Sequence, residues 1–325
     1  MGKILVTGAT GFVGSHLAET LVKKGEDVYC LVRATSNLRW LKGLSVKLVQ
    51  GDCTDISSLK SLPSDIEFVF HLAGLVKARS KRAFYEVNYQ GTVNLIRICL
   101  TKMWSLKRFI FISTLAVHGS PSDSMIKSDD QPRPLSHYAK SKWLAEQALL
   151  SVKEIIPVII FRPTVIYGPR DRELLDFYRL IKTGWVPVLN PNGKLSLCYV
   201  LDLVQALIKA LKADVPSGSV FFVSDGNAYS WFEVINIIAS LLDKNPCYIY
   251  FPKGILWIMA IFAEAMANIS RQPIMFSRDK LKEILQHTWV CDISNSIENL
   301  GYRPNYSLNI GMEETIHWYK AQGWL

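Results

Sequence analysis

Tyr138 and Lys142 stand four residues apart in Tyr138-Ala139-Lys140-Ser141-Lys142, the spacing that places two side chains on one face of a helix. An ammonium beside a phenol lowers the phenol's pKa and so creates a group able to give and take a proton near neutral pH. Tyr178 and Lys182 share the spacing. Position separates the two pairs: Thr114 lies 24 residues before Tyr138, just past the apolar run Phe109 to Ile112, where the strand ends of a parallel sheet meet ligands. Tyr178 has no such hydroxyl partner.

A second constellation opens the chain. The apolar run Ile4-Leu5-Val6 leads into Thr7-Gly8-Ala9-Thr10-Gly11-Phe12-Val13-Gly14. Three glycines spaced in this way are weak evidence alone, but here they follow a buried strand and open a helix. That context lets backbone reach a pyrophosphate at the positive helix N-terminus. Gly8, Thr10, Gly11, Phe12, Val13 and Gly14 are therefore candidate dinucleotide contacts. The second strand ends Leu31-Val32-Arg33, with no acid at Val32 or Arg33 to hold a free ribose 2′-hydroxyl. Arg33, with Ser36 and Arg39 close behind, favours NADP over NAD, because a 2′-phosphate wants a cation. Asp52, in Gln50-Gly51-Asp52-Cys53, is placed to accept from an adenine amino group, with Cys53 beside it.

These residues need rigid elements to position them. Short apolar runs, Val28 to Val32, Val46 to Val49, Phe68 to Leu72, Phe109 to Ile112 and Val158 to Phe161, alternate with helical patterns over Phe12 to Lys24, Asn88 to Leu100 and Tyr138 to Leu150. Strands covered on both faces by crossover helices read this way, which predicts an α/β Rossmann-type doubly wound parallel sheet. After Pro169 the regularity weakens. A helix near Glu173 to Ile181, a loop through Pro187 and Asn190 to Gly193, a helix after Asp202 and a strand Ser219 to Val223 are expected there. The change of pattern divides the chain into residues 1–165, dinucleotide-binding, and 166–325, a smaller α+β part that is mainly substrate-binding and returns some segments to the core sheet.

Composition bounds the function. With 325 residues, 49% hydrophobic and 20% charged, the chain is an ordinary folded protein and not a disordered or fibrous one. The net charge of +9 suits anionic ligands, but no basic run marks a nucleic-acid arm. The six dispersed cysteines and the lack of a secretory pattern before the first strand point to a reducing cytoplasm. The apolar stretch Ile255 to Ile269 carries Glu264 and is short for a bilayer span, so it is expected as a buried or lid helix walling an apolar pocket. Membrane association is not expected. His118 has no paired His or Cys at ligand spacing, so no metal is expected and His118 reads as structural or substrate-lining.

Taken together, TGATGFVG, Tyr138 with Lys142, Ile112-Ser113-Thr114 before Val117-His118-Gly119, Asn88 with GTVNL, Arg162 through Pro169 and the closing Leu300-Gly301-Tyr302-Arg303-Pro304 resemble the extended short-chain dehydrogenase/reductase family. The resemblance covers nearly the whole chain. It implies that Tyr138 transfers the proton, that Lys142 holds the nicotinamide ribose and tunes Tyr138, and that Thr114 rather than Ser113 hydrogen-bonds the substrate oxygen. It further implies that Leu72, Ala73 and Gly74 line the cofactor, that Asn88 braces the active-site backbone, and that Pro163, Thr164 and Val165 pack beside the nicotinamide.

Departures narrow the chemistry. Leu115-Ala116 follow Thr114 where sugar-nucleotide dehydratases of the family carry Asp-Glu, and Val165 stands where many nucleotide-sugar members have Asn. The strand-two ending and Gly168-Pro169-Arg170-Asp171 are more similar to the branch with 3β-hydroxysteroid dehydrogenases and dihydroflavonol reductases. The expected activity is NAD(P)-dependent hydride transfer to or from a secondary alcohol or ketone of a small-molecule substrate. The alternatives are a nucleotide-sugar epimerase and a non-catalytic dinucleotide-binding scaffold. Family members are often dimers, so a homodimer is expected.

Overall fold

The computed structural model describes residues 2–120, 124–270 and 276–325, with side chains of 267–270 left undescribed. Seven parallel strands form the central sheet. In chain order the first six are β1 (Lys3–Thr7), β2 (Asp27–Val32), β3 (Lys47–Gln50), β4 (Ile66–His71), β5 (Arg108–Ile112) and β6 (Val158–Pro163). The strand Ser219–Val223 lies beyond β6, so the spatial order runs Ser219–Val223, β6, β5, β4, β1, β2, β3. The order reverses between β1 and β4, and the carboxyl ends of these strands open a crevice there. This is the doubly wound sheet that the alternating pattern predicts, and Ser219–Val223 from the second half joins its edge.

The strands are apolar because both faces are covered. One cluster joins Val6, Phe70, Ile110 and Phe161 to Leu17 and Leu21 of the first helix, α1 (Phe12–Lys23). A second cluster on the other face joins Leu5, Val69, Phe109 and Ile160 to Leu95 and Leu149 of later helices. Fully burying one such side chain contributes roughly 1.5–3 kcal/mol, so these two layers hold the sheet. β3 is the edge strand, mostly exposed, and sits one residue later than Val46 to Val49 suggests.

Elsewhere the expected elements are corrected in detail. The helix expected from Asn88 begins at Lys81, passes through a π-helical turn over Tyr85–Gln90, and continues as Gly91–Lys102. Such turns appear where a residue must be aimed off the regular helical path, and Asn88 is that residue. The segment through Pro187, expected as a loop, holds the strand Trp185–Val188, which pairs in parallel with Cys247–Tyr250. The helix expected after Asp202 is Val200–Lys209, and buried Asp202 instead accepts the Asn305 and Tyr306 amides at 3.0 and 3.1 Å. The helix expected near Glu173 to Ile181 is Leu175–Lys182.

Beneath the crevice, Arg162 of β6 makes a two-pronged contact with Glu146, with Nε to Oε1 at 3.0 Å and Nη2 to Oε2 at 2.5 Å, both side chains being buried. His118 also contacts Arg162 and packs edge-on against Phe222, so it is structural and not substrate-lining. Burial and the nearby guanidinium hold its pKa down to about 4, so the ring is neutral. Removing one partner of a buried pair strands the other charge. Arg162→Met is therefore expected to lower the unfolding free energy by about 3–5 kcal/mol in urea titrations, whereas the exposed pair Arg179–Asp176 should be worth under ~1 kcal/mol when broken by Asp176→Asn.

Candidate active site

α1 begins at Gly11 with no side-chain cap, which leaves the first-turn amides to an outside acceptor. The preceding turn is tight: the Gly11 amide donates to the Gly8 carbonyl at 2.9 Å. Gly8 has φ 72°, and a Cβ on Gly14 would lie 2.2 Å from the Gly8 carbonyl oxygen. Only glycine fits at Gly14, because strand and helix backbones meet there. This uncapped, side-chain-free cradle fits the diphosphate of a dinucleotide.

The turn is tied to the end of β4. Thr7 Oγ1 bonds His71 Nδ1 at 2.7 Å and accepts from the Ala73 amide at 3.2 Å, while His71 Nε2 meets Thr92 Oγ1 at 2.9 Å. Burial pushes the His71 pKa to about 3, so this buried link is neutral. Asn88 braces the backbone just past β4. Its Oδ1 accepts from the Leu75 amide at 2.7 Å, and its Nδ2 donates to the Leu75 carbonyl at 3.0 Å and to Ser141 Oγ at 2.9 Å.

The helix His137–Leu150 carries the central pair. Ser136 caps it through the Ala139 amide, and Asp279 from the second half accepts the His137 amide at 2.7 Å. Tyr138 and Lys142 share one face, and the Tyr138 phenol meets the Thr114 hydroxyl. Burial pushes the phenol's pKa up, and the Thr114 contact partly opposes it. Lys142 is buried with its ammonium 4.2 Å from the centre of the Phe111 ring. Burial draws its pKa down to about 7, against the pull of the Glu146 carboxylate. The two side chains share a helix face as expected, but the expected lowering of the phenol by the ammonium is not found: burial raises the phenol, and Lys142 is not among the groups that act on it.

One cavity of about 1460 Å³ brings together most of the sequence-predicted residues: Gly8, Thr10, Gly11, Phe12, Val13 and Gly14 with Leu72 and Gly74, then Thr114, Tyr138 and Lys142, then Pro163, Thr164 and Val165. Others lie outside its wall. Ala73 and Asn88 stand behind it, as braces. Arg33 is exposed and its amide donates to Ser36 Oγ at 3.0 Å, while the wall near β2 is made by Asn37, Arg39 and Trp40. Arg39 stacks on Trp40 with its guanidinium carbon 3.7 Å from the ring centre. Asp52 uses Oδ1 to accept from the Thr54 amide and hydroxyl, both at 2.8 Å, and the buried Cys53 thiol is pushed up to about 12. Tyr178 is buried elsewhere, its hydroxyl on Met312 Sδ. Sequence reasoning did not find Arg39's stacked placement or the Glu146 link, since neither belongs to a local spacing.

A family model, "NAD dependent epimerase/dehydratase family", matches residues 4–223. The chain belongs to that family. Within it, the chain is 29% identical to the ceramide reductase of Caulobacter vibrioides, across 100% of this chain and 96% of that protein. It is 29% identical to the UDP-glucose 4-epimerase of Vibrio cholerae, across 96% and 94%. Among solved structures, the UDP-glucuronic acid 4-epimerase from Bacillus cereus in complex with UDP-glucuronic acid and NAD has a TM-score of 0.79 at 25% identity, covering 98% of this chain and 99% of that one. This epimerase/dehydratase-family protein is therefore an enzyme that uses a nicotinamide dinucleotide.

The geometry carries two expected outcomes. Gly14→Ala must displace the turn, so isothermal titration should show dinucleotide affinity lost by tenfold or more while the circular dichroism spectrum is kept. The second concerns Lys142, whose folded pKa of about 7 lies below the ordinary 10.5. Between these values the unfolded chain binds the extra proton, so stability rises with pH across that window. The unfolding free energy of the wild type minus that of Lys142→Met, measured by denaturant without cofactor, should therefore climb from pH 7 toward the alkaline end, and a flat difference would contradict the burial argument.

Proposed function

We propose that this enzyme is an NADP-dependent oxidoreductase that interconverts a secondary alcohol and a ketone on an apolar, lipid-borne substrate. The observation that carries the reading is the convergence of Thr114, Tyr138 and Lys142 with the glycine turn on one cavity, whose remaining wall includes Leu75, Phe84, Phe177, Trp231 and Trp257. Supporting it are Leu115 after Thr114, where an acid would be needed to expel a hydroxyl, and Val165 on the wall in place of a polar diphosphate contact. The full-length likeness to a ceramide reductase points the same way.

The dinucleotide, when bound, gives or takes the hydride. The chain supplies the rest. Gly11 and the first-turn amides of α1 would hold the diphosphate, Lys142 would orient the ribose beside it, and Arg33, exposed at the end of β2 just outside the wall, would pair with the 2′-phosphate, with Arg39 on the wall itself. Thr114 donates to the substrate oxygen, and the Tyr138 phenol gives that oxygen its proton in reduction and removes it in oxidation.

A nucleotide-sugar epimerase is the second reading, supported by the likeness to the Vibrio and Bacillus epimerases. Net cofactor turnover separates the two, since an epimerase regenerates its cofactor.

NADP should bind more tightly than NAD by about 1.5–3 kcal/mol, the worth of a charge-assisted contact, and Arg33→Ala should erase the difference. A preference that persists in Arg33→Ala but vanishes in Arg39→Ala would move the phosphate contact to Arg39. On a substrate found by screening long-chain ketones, hydroxy lipids and sugar nucleotides, Tyr138→Phe should cut turnover by about 10²–10⁴-fold and leave dinucleotide affinity nearly intact. Tyr178→Phe should change turnover little. Unchanged turnover in Tyr138→Phe would overturn the assignment of proton transfer to Tyr138.

A further inference from the structure

The apolar stretch expected as a buried or lid helix forms the helix Lys253–Ser270, which walls the cavity on one side while most of its described side chains are not buried. Its described side chains fall on three faces. Leu256 and Ala260 pack against Leu281 of the helix Arg278–Ile284. Trp257 and Glu264, seven residues apart, line the cavity, and Glu264 is neutralised by Arg278 at 2.8 Å. The third face is open. Ile255, Ile258, Met259, Phe262 and Met266 recur at helical spacing there with Ile261 at the border, and Ile258 and Phe262 are each 68% exposed.

A continuous apolar stripe of this kind, free of charged side chains, is unusual on a soluble monomer and marks a surface that meets something. Among the described residues no helix is long and apolar enough to cross a membrane. A helix of this size with one wholly apolar outer face suits the plane of a bilayer surface, sunk roughly 5–10 Å into the headgroup boundary. Charge chooses between a bilayer and a second copy. Two molecules of +9 repel, whereas an anionic bilayer attracts such a protein, and exposed Arg79 and Lys81 stand on the rim of the cavity that this helix walls.

We propose that the outer face of the Lys253–Ser270 helix docks on a lipid bilayer bearing anionic headgroups, so that an acyl-chain substrate passes from the bilayer into the cavity on the helix's inner side. This departs from the sequence-based expectation that the protein does not associate with membranes. The route for the substrate rests on the lipid-borne reading above. Docking itself does not.

The test is co-sedimentation of the full chain, without substrate, with vesicles of phosphatidylcholine alone or of three parts phosphatidylcholine to one part phosphatidylglycerol. The protein should sediment with the mixed vesicles, more weakly with the neutral ones, and less as salt rises. Ile258→Ser and Phe262→Ser should each lower the partition coefficient roughly tenfold, with melting temperature and dinucleotide affinity unchanged. No sedimentation with mixed vesicles, or the same sedimentation after both substitutions, would overturn the docking. So would a vesicle-free dimer in analytical ultracentrifugation that the same substitutions abolish, because the face would then belong to a second copy. Failure to turn over any lipid ketone while vesicle binding holds would remove the substrate reading and leave the docking in place.

Discussion

The buried ammonium of Lys142 is the constraint around which the site is arranged. A cation taken from water costs several kcal/mol unless charges and dipoles replace its hydration shell. Here the replacement is partial: the face of Phe111 lies at 4.2 Å, and the Glu146 carboxylate one helical turn on is already held by Arg162. Because burial outweighs the pull of the Glu146 carboxylate, Lys142 is left close to the point of losing its proton. A group so poised responds to any new polar neighbour in the cavity. It can do so reproducibly only if the surrounding backbone cannot relax.

That rigidity comes from neutral hydrogen bonds between distant segments. Asn88 locks the Leu75 backbone to Ser141, and Thr7, His71 and Thr92 lock β1 to β4 and to the following helix. The N-terminus of the Tyr138 helix is held from the other side, by Asp279 on the His137 amide and by Glu283 on the Ser136 hydroxyl. Tyr138 is thus positioned by both halves of the chain. A displacement of the Arg278–Ile284 helix is transmitted to the Tyr138 phenol through the cap, which couples that wall of the cavity to the residue proposed to move the proton.

Much of this was legible because it is local. A strand covered on both faces must be apolar along its length, so β1, β2, β4, β5 and β6 could be read from short runs, and the glycine turn from three residues and their neighbours. Tyr138 and Lys142 were legible through the helical repeat. What could not be read depends on contacts between segments far apart. The π-helical turn that aims Asn88 leaves no period, the strands Trp185–Val188 and Cys247–Tyr250 exist because they pair across about 60 residues, and Arg39 reaches the cavity through stacking on Trp40.

The Lys253–Ser270 helix shows how a correct composition can yield half an answer. Hydrophobicity alone cannot tell a helix buried on all sides from one that walls a cavity on one side and faces outward on the other, because both are apolar around most of the wheel. The distinguishing signal is the placement of the few polar groups. Glu264 sits on the same face as Trp257, toward the cavity, where Arg278 can pair with it, and none of Ile255, Ile258, Met259, Phe262 and Met266 on the opposite face is polar. A helix serving only a water-exposed wall would carry its charge the other way round, outward into solvent. That polarity is the one the proposed bilayer docking requires, with the uncharged face outward and the single ion pair turned toward the cavity.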